Sequence, residues 1–166
     1  MTDQLDRILQ QWHVAKPGLD VSPMAVIGRL GRATSAVDQR IAATLALHGL
    51  DPSTFDVLAT LLRSGPAHQL TPVELARDAM ISTSAVAQRL KKIEQLGYIT
   101  RRPSPVDGRG TVVTLTPSGA RVVEAALPEH VETERAVLAV LTADEQRQLA
   151  TLLQKISDSA GGATAP

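Results

Sequence analysis

A mainly α fold with one small β-hairpin is what this sequence predicts, and three observations predict it. Helix caps and apolar residues at helical spacing recur along almost the whole of the 166-residue chain. β character is confined to one stretch, Tyr98-Ile99 with Val112, Val113 and Leu115. Between Thr71 and Thr116 two short capped helices lead straight into that stretch: TPVELARD, then STSAVAQRLKKIEQLG, then YITRRPSPVDGRGTVVTLT. Helix, helix and hairpin in that order make a winged helix-turn-helix.

The remaining elements follow from punctuation. A short helix from about residue 2 to 14 ends before Lys16-Pro17-Gly18. Ser22-Pro23 opens a long helix, with Ser22 as N-cap, whose apolar residues Ile27, Leu30, Val37, Ile41 and Leu45 run on to Gly49. Asp51-Pro52 starts the next helix and Gly65-Pro66 ends it. Thr71 to Glu74 is a capping box. Thr116-Pro117 starts a helix expected to be interrupted near Pro128, and Thr142 to Glu145 is a second capping box, leading to Leu149, Leu152, Leu153 and Ile156. The tail from Gly161 is expected to fray. Gly28 and Gly31 inside the long helix either allow a close helix crossing or are a tolerated weakness.

The organisation is one domain over 1–166: an extra N-terminal helix (1–15), the long helix (22–49), the winged helix-turn-helix core (51–115) and C-terminal helices (116–160). The terminal helices exceed what a minimal winged module needs. Their apolar stripes call for a partner, and a homodimer joined through the N- and C-terminal helices is the economical one.

Composition narrows the function. Hydrophobic residues make up 43% without a long apolar run, so no membrane span is expected. The polar N-terminus has no signal character, which makes a cytoplasmic location the expectation. Absence of cysteine excludes disulfides, thiolate metal sites and cysteine redox chemistry. His13, His48, His68 and His130 are scattered, with no metal-ligand spacing, and read as surface residues. No nucleophile motif, glycine-rich phosphate loop or paired-carboxylate signature is present, so neither an enzyme nor a cofactor is expected.

Net charge is zero, but unevenly spread. Between Arg77 and Gly110 seven basic residues face three acids, a local balance of +4. Such a patch attracts phosphate on an otherwise neutral molecule, so a DNA partner and salt-sensitive binding are expected.

The second helix of the motif separates two faces. At 100° per residue, Val86, Leu90 and Ile93 share one side, while Ser84, Gln88, Lys91 and Gln95 share the other, flanked by Ala87 and Lys92. A small, polar and cationic face suits a major groove. Ser82, Thr83 and Ser84 open the helix, whose free N–H groups suit a phosphate. Such a face also suits plain solvation; the capped helix before it and the hairpin after it favour the groove. Along the hairpin lie Arg101, Arg102 and Arg109, and the tip, Pro103 to Gly110, is too long for a two-residue turn. An arginine there suits the minor groove, with Asp107 placed to hold Arg109 in a bidentate pair.

This order of elements, the segment STSAVAQRLKKIEQLGYITRRPSPVDGRGTVVTLTPSG and its D-x-R tip (Asp107, Arg109) resemble the MarR family of bacterial transcriptional regulators, over roughly residues 22–156. The resemblance implies a homodimer on a palindromic operator, often repressing a neighbouring gene, with release by a small ligand. It makes 82–96 the recognition helix and Arg109 the minor-groove residue.

One group on that helix faces the wrong way for DNA. Arg89 lies about 60° from Val86, on the flank of the buried side, where a guanidinium needs a carboxylate. The helix after Asp51 offers Asp56 in a polar stripe with Thr60 and Arg63. Arg63 and Asp56 could grip an anionic ligand, and the lone tryptophan, Trp12, could lid the pocket and stack on a planar one. Singly, Trp12 reads as a packing anchor and Asp56/Arg63 as a solvated stripe. Together, Trp12, Asp56, Arg63 and Arg89 resemble the pattern of the urate-responsive (HucR/PecS-like) branch of the family and its carboxylate-responsive relatives. That resemblance implies an anion, urate-like or a carboxylic acid such as citrate or trans-aconitate, that competes with Asp56 for Arg89 and tilts the recognition helix off its groove. The alternative is an architectural or protein-binding winged helix that does not read sequence.

Overall fold

The computed structural model describes residues 3–103 and 110–161. In chain order the described residues form α1 (Gln4–Ala15), α2 (Ser22–Ala46), α3 (Pro52–Leu62), β1 (Gln69–Leu70), α4 (Pro72–Asp78), α5 (Thr83–Gln95), β2 (Ile99–Pro103), β3 (Thr111–Leu115), α6 (Pro117–Leu138) and α7 (Ala143–Gly161). The fold is mainly helical with a small antiparallel sheet of order β1-β3-β2. None of these helices is long and apolar enough to cross a membrane.

α3 is the hub. It packs on α2, α4, α5, α6 and β3 at once, so Val57, Leu58 and Leu61 are fully buried. Against it α5 sets Val86, Leu90 and Ile93, the sheet sets Ile99, Val113 and Leu115, and α6 sets Val123 and Ala126. Burying each such aliphatic side chain is worth about 1.5–3 kcal/mol, which makes this shared core the main support of the winged unit.

Caps set the helix starts. Both capping boxes form: Thr71 N–H donates to Glu74 Oε2 at 2.8 Å while Glu74 N–H donates to Thr71 Oγ1 at 3.3 Å, and Thr142 with Glu145 repeats both bonds at the same lengths. Asp51 caps α3, accepting from Thr54 N–H at 3.0 Å and Thr54 Oγ1 at 2.7 Å. Ser22 is not the N-cap of α2. It is the first helical residue, its N–H donates to Asp20 Oδ1 at 2.9 Å, and the cap position is taken by Val21, whose aliphatic side chain has no acceptor to offer and is buried instead.

Two further expectations are corrected, and one left open is decided. α6 passes through Pro128 without interruption. Pro128 and Glu124, whose carbonyl loses its helical donor there, are both exposed, so the freed oxygen is open to solvent. The sheet has a third strand, β1, pairing Gln69 with Thr114 and Leu70 with Val113 on the free edge of β3. Of the two α2 glycines only Gly28 serves a crossing: a Cβ there would lie 2.9 Å from Leu5 Cδ1 of α1, whereas nothing lies within 4 Å of one on Gly31. Arg29–Asp6 and Arg32–Asp3 ion pairs, each 2.6 Å, hold α1 on α2 beside that contact.

α7 is the exception to this packing. None of its described side chains is buried, and Leu149, Leu152, Leu153 and Ile156 form one exposed stripe. The stripe and the N-terminal half of α2 line an apolar cleft of about 580 Å³.

The wing is anchored where α6 begins. Tyr98 carbonyl accepts from Thr116 N–H at 2.9 Å, and Thr116 Oγ1 donates to the Gly97 carbonyl at 2.8 Å. Gly119 makes this possible, since a Cβ there would stand 2.2 Å from the Tyr98 oxygen. Gly119→Ala is therefore expected to destabilise the fold by about 2 kcal/mol or more, read as a lower urea midpoint at an unchanged slope.

Candidate nucleic-acid interface

The turn between α4 and α5 sets the aim of α5. Ile81 N–H donates to the Ala76 carbonyl at 3.0 Å and Met80 N–H to the Arg77 carbonyl at 3.2 Å, the two bonds of a Schellman cap. Met80 takes the left-handed position of that cap, with φ +55°, and its side chain is 90% exposed. Ser82 then caps α5, its Oγ accepting from Ala85 N–H at 3.2 Å.

On α5 the two faces separate as the spacing requires. Val86, Leu90 and Ile93 are buried, while Ser82, Thr83, Ser84, Gln88, Lys91, Lys92 and Gln95 are exposed. A backbone N–H start, three hydroxyls, two amides and two lysines on one rod are donors and acceptors for phosphate and base edges.

The cations are not all equally available. Lys92 donates from Nζ to Asp51 Oδ2 at 2.7 Å, tying α5 to the cap of α3. Arg101 on β2 pairs with Glu94 through Nε at 2.9 Å and again through Nη2, which draws the Glu94 carboxyl below its ordinary range. Arg77 pairs with Asp78 at 2.7 Å. Arg102 and Lys91 are exposed and have no hydrogen-bond or ion-pair partner among the described residues. Asp107 and Arg109 lie outside the described residues. Asp51 and Asp56, which come from outside that window, pair with Lys92 and Arg89 and so halve the +4 excess counted along the sequence.

Arg89 turns inward. Its Nη1 lies 3.4 Å from Asp56 Oδ2, and the Arg89 side chain is 24% exposed. Burial raises the pKa of Asp56, opposed by Arg89, by His130 and by Arg63. Thr60 does not share the polar stripe: it is buried and its hydroxyl donates to the Asp56 carbonyl at 2.7 Å. Arg63 is the C-cap residue of α3 and donates to the Asp78 carbonyl, bridging α3 to the end of α4. Trp12 is 39% exposed on α1, which packs on α2; no hydrogen bond, ion pair or ring contact joins it to Asp56, Arg63 or Arg89 among the described residues. The structure thus brings Asp56, Arg63 and Arg89 together and leaves Trp12 apart within one chain.

His130 was not singled out by the sequence, and neither it nor His48 is a surface residue: their side chains are 15% and 17% exposed. Its position was legible as a histidine in register with Val123 and Ala126 on the inward stripe of α6. Asp51 and Glu94 were also missed as partners of the basic residues, and no local spacing marks them.

The MarR family model matches residues 48–110. The HTH-type transcriptional regulator PecS of Dickeya dadantii is 34% identical over 153 residues, covering 92% of each chain. A cysteine-to-serine variant of MarR from E. coli, solved in complex with operator DNA, superimposes with a TM-score of 0.72 at 27% identity, over 82% of this chain and 95% of that one. BpsR of Bordetella bronchiseptica, whose structure addresses regulation of DNA binding by 6-hydroxynicotinic acid, gives a TM-score of 0.73 at 25% identity, over 80% of this chain and 93% of that one.

Two measurements test the local geometry. Met80→Gly removes the left-handed strain and is expected to raise stability by about 1 kcal/mol, seen as a higher melting temperature. Burial disfavours charge on Asp51, yet Lys92, Ser53 and Thr54 together hold its carboxyl far below the ordinary range. A depressed pKa stabilises the fold above the unfolded value and loses that effect as pH falls. Asp51→Ala is expected to cost about 1 kcal/mol at pH 7, with the gap to the parent protein closing as pH drops below about 4 in a urea series.

Proposed function

Because this chain belongs to the MarR family of transcriptional regulators, and not to a family of enzymes, we propose that it is a cytoplasmic repressor: a homodimer that binds a palindromic operator and releases it when a small anion binds. The observation that carries this reading is the division of labour on α5, whose outer face is open to a groove while Arg89 points inward to Asp56.

The DNA side uses Ser82, Thr83, Ser84, Gln88 and Lys91 from α5, with Lys92 at its flank, and Arg101 and Arg102 from the wing; Asp107 and Arg109 complete it in the minor groove. Dimerisation is supported by the exposed stripe of α7 and by the cleft it forms with α2, which a second copy of the same helices would cover. Two-fold symmetry then sets two α5 helices about 34 Å apart, one turn of the duplex.

The effector side uses Asp56, Arg63 and Arg89, with Trp12 as the stacking surface. The Arg89–Asp56 distance is long for a charge-assisted bond, so an anion close to both arginines competes on good terms for Arg89. Movement of Arg89 moves α5, and losing even one base-reading pair per subunit costs about 1–3 kcal/mol. Urate-like purines and carboxylic acids are the effector class, supported by the likeness to PecS over most of both chains and by the ring acid that acts on BpsR.

Mobility shifts with DNA from the chromosomal neighbourhood and with scrambled DNA test the whole. Specific retardation is expected; equal affinity for both would instead mean an architectural module. Lys91→Gln is expected to weaken binding to all sequences and to flatten the salt slope by about 1 per subunit. Arg63→Ala is expected to keep operator affinity while raising at least tenfold the urate or citrate needed for release; unchanged release would refute the pocket.

A further inference from the structure

The cluster around Asp56 holds one group that the effector reading does not use. His130 rests its ring on Phe55, centroids 4.5 Å apart and planes tilted by 44°. Phe55 directly precedes Asp56, and His130 is near enough for its charge to act on that carboxylate. Its Nε2 stands 3.2 Å from Glu134 Oε1 on the next turn of α6. Its Nδ1 is buried without a hydrogen-bond partner among the described residues.

The charged groups around the Asp56 carboxylate and the imidazole come from three helices. α3 supplies Asp56 and Arg63, α5 supplies Arg89, and α6 itself supplies Glu134. On the α2 side of α6, His48 and Glu129 form a pair of their own at 3.1 Å. Asp56 is thus approached by three basic side chains from three helices, of which only His130 carries a charge that is not permanent.

Resting on the effector reading above, we propose that His130 is the replacement cation for Asp56: an anion that draws Arg89 away leaves the Asp56 carboxylate to a protonated His130, so release of DNA takes up one proton per subunit. The physical need is plain. A half-buried carboxylate stripped of its guanidinium is costly unless another cation takes over. The ligand brings one negative charge and the solvent proton brings one positive charge, so the cluster keeps its net charge. The buried Nδ1 gains an acceptor in the same step, since a carboxylate freed from Arg89 can receive its N–H. His130 acts through Asp56 and is a positioning residue, distinct from the groups that touch the ligand.

Arg89→Gln imitates the loss of Arg89 without any ligand. The His130 Cε1–H resonance, followed by NMR against pH, is expected to titrate at least one pH unit higher in Arg89→Gln than in the parent. The double variant Arg89→Gln/Asp56→Asn is expected to lose that rise. An equal midpoint in the parent and Arg89→Gln would overturn the proposal whatever the effector is. With urate as probe, the concentration that half-releases operator DNA is expected to rise toward tenfold per pH unit above neutrality, and to be flat with pH in His130→Gln. Release by urate with no pH dependence in the parent would sink the proton coupling and leave the effector site standing. If urate fails to release DNA at any pH, the effector reading fails for purines, and the Arg89→Gln titration still decides the pairing.

Discussion

The contact of α5 with α3 is the constraint on which the rest depends. Val86, Leu90 and Ile93 form a stripe barely one side chain wide, and it is buried against the fully enclosed Val57, Leu58 and Leu61. Rotating α5 by one residue would drive Lys91 and Glu94, or Arg89 and Lys92, into the core, at several kcal/mol each. The burial of three aliphatic side chains therefore fixes which residues face outward. The interface is a consequence of the core, and the polar face needs no device of its own to orient it.

Charge pairing refines what packing sets. Lys92 ties α5 to the cap of α3, Arg101 ties the wing to α5 through Glu94, and Arg63 ties α3 to the last turn of α4. Each bond joins two of the elements that would have to move together on DNA. Arg89 and Asp56 form the looser joint, at 3.4 Å with the carboxylate half in solvent, and the nearby imidazole of His130 has a buried nitrogen without a partner among the described residues. The joint that the effector reading requires to yield is thus the weakest of these side-chain pairs in its geometry.

The ends of the chain obey a different rule. α1 and α7 contribute little to the shared core: α1 buries only Leu5, and α7 buries none of its described side chains. An amphipathic helix left in this state gains its stability from whatever covers its stripe. It separates the fold into a winged unit with a core of its own and terminal helices whose apolar stripes stay exposed within the single chain.

Local chemistry was open to inspection in the sequence alone. Capping boxes, the Asp51 cap, the apolar stripe of α5 and the order helix, helix, hairpin all depend on residues within about one helical turn or one hairpin of each other. Partnership across elements was not. The claim of Lys92 on Asp51, the addition of β1 to the edge of β3 and the presence of His130 beside Asp56 join residues far apart in the chain. Spacing carries no information about such pairs. Arg89 marks the border: its awkward angle announced that a carboxylate must exist, because charge near a core demands one. The sequence offered Asp56 as a candidate, but only the packing of α3 against α5 sets that carboxylate 3.4 Å from Arg89, and only α6 brings a histidine to it, because such contacts join residues that chain spacing does not relate.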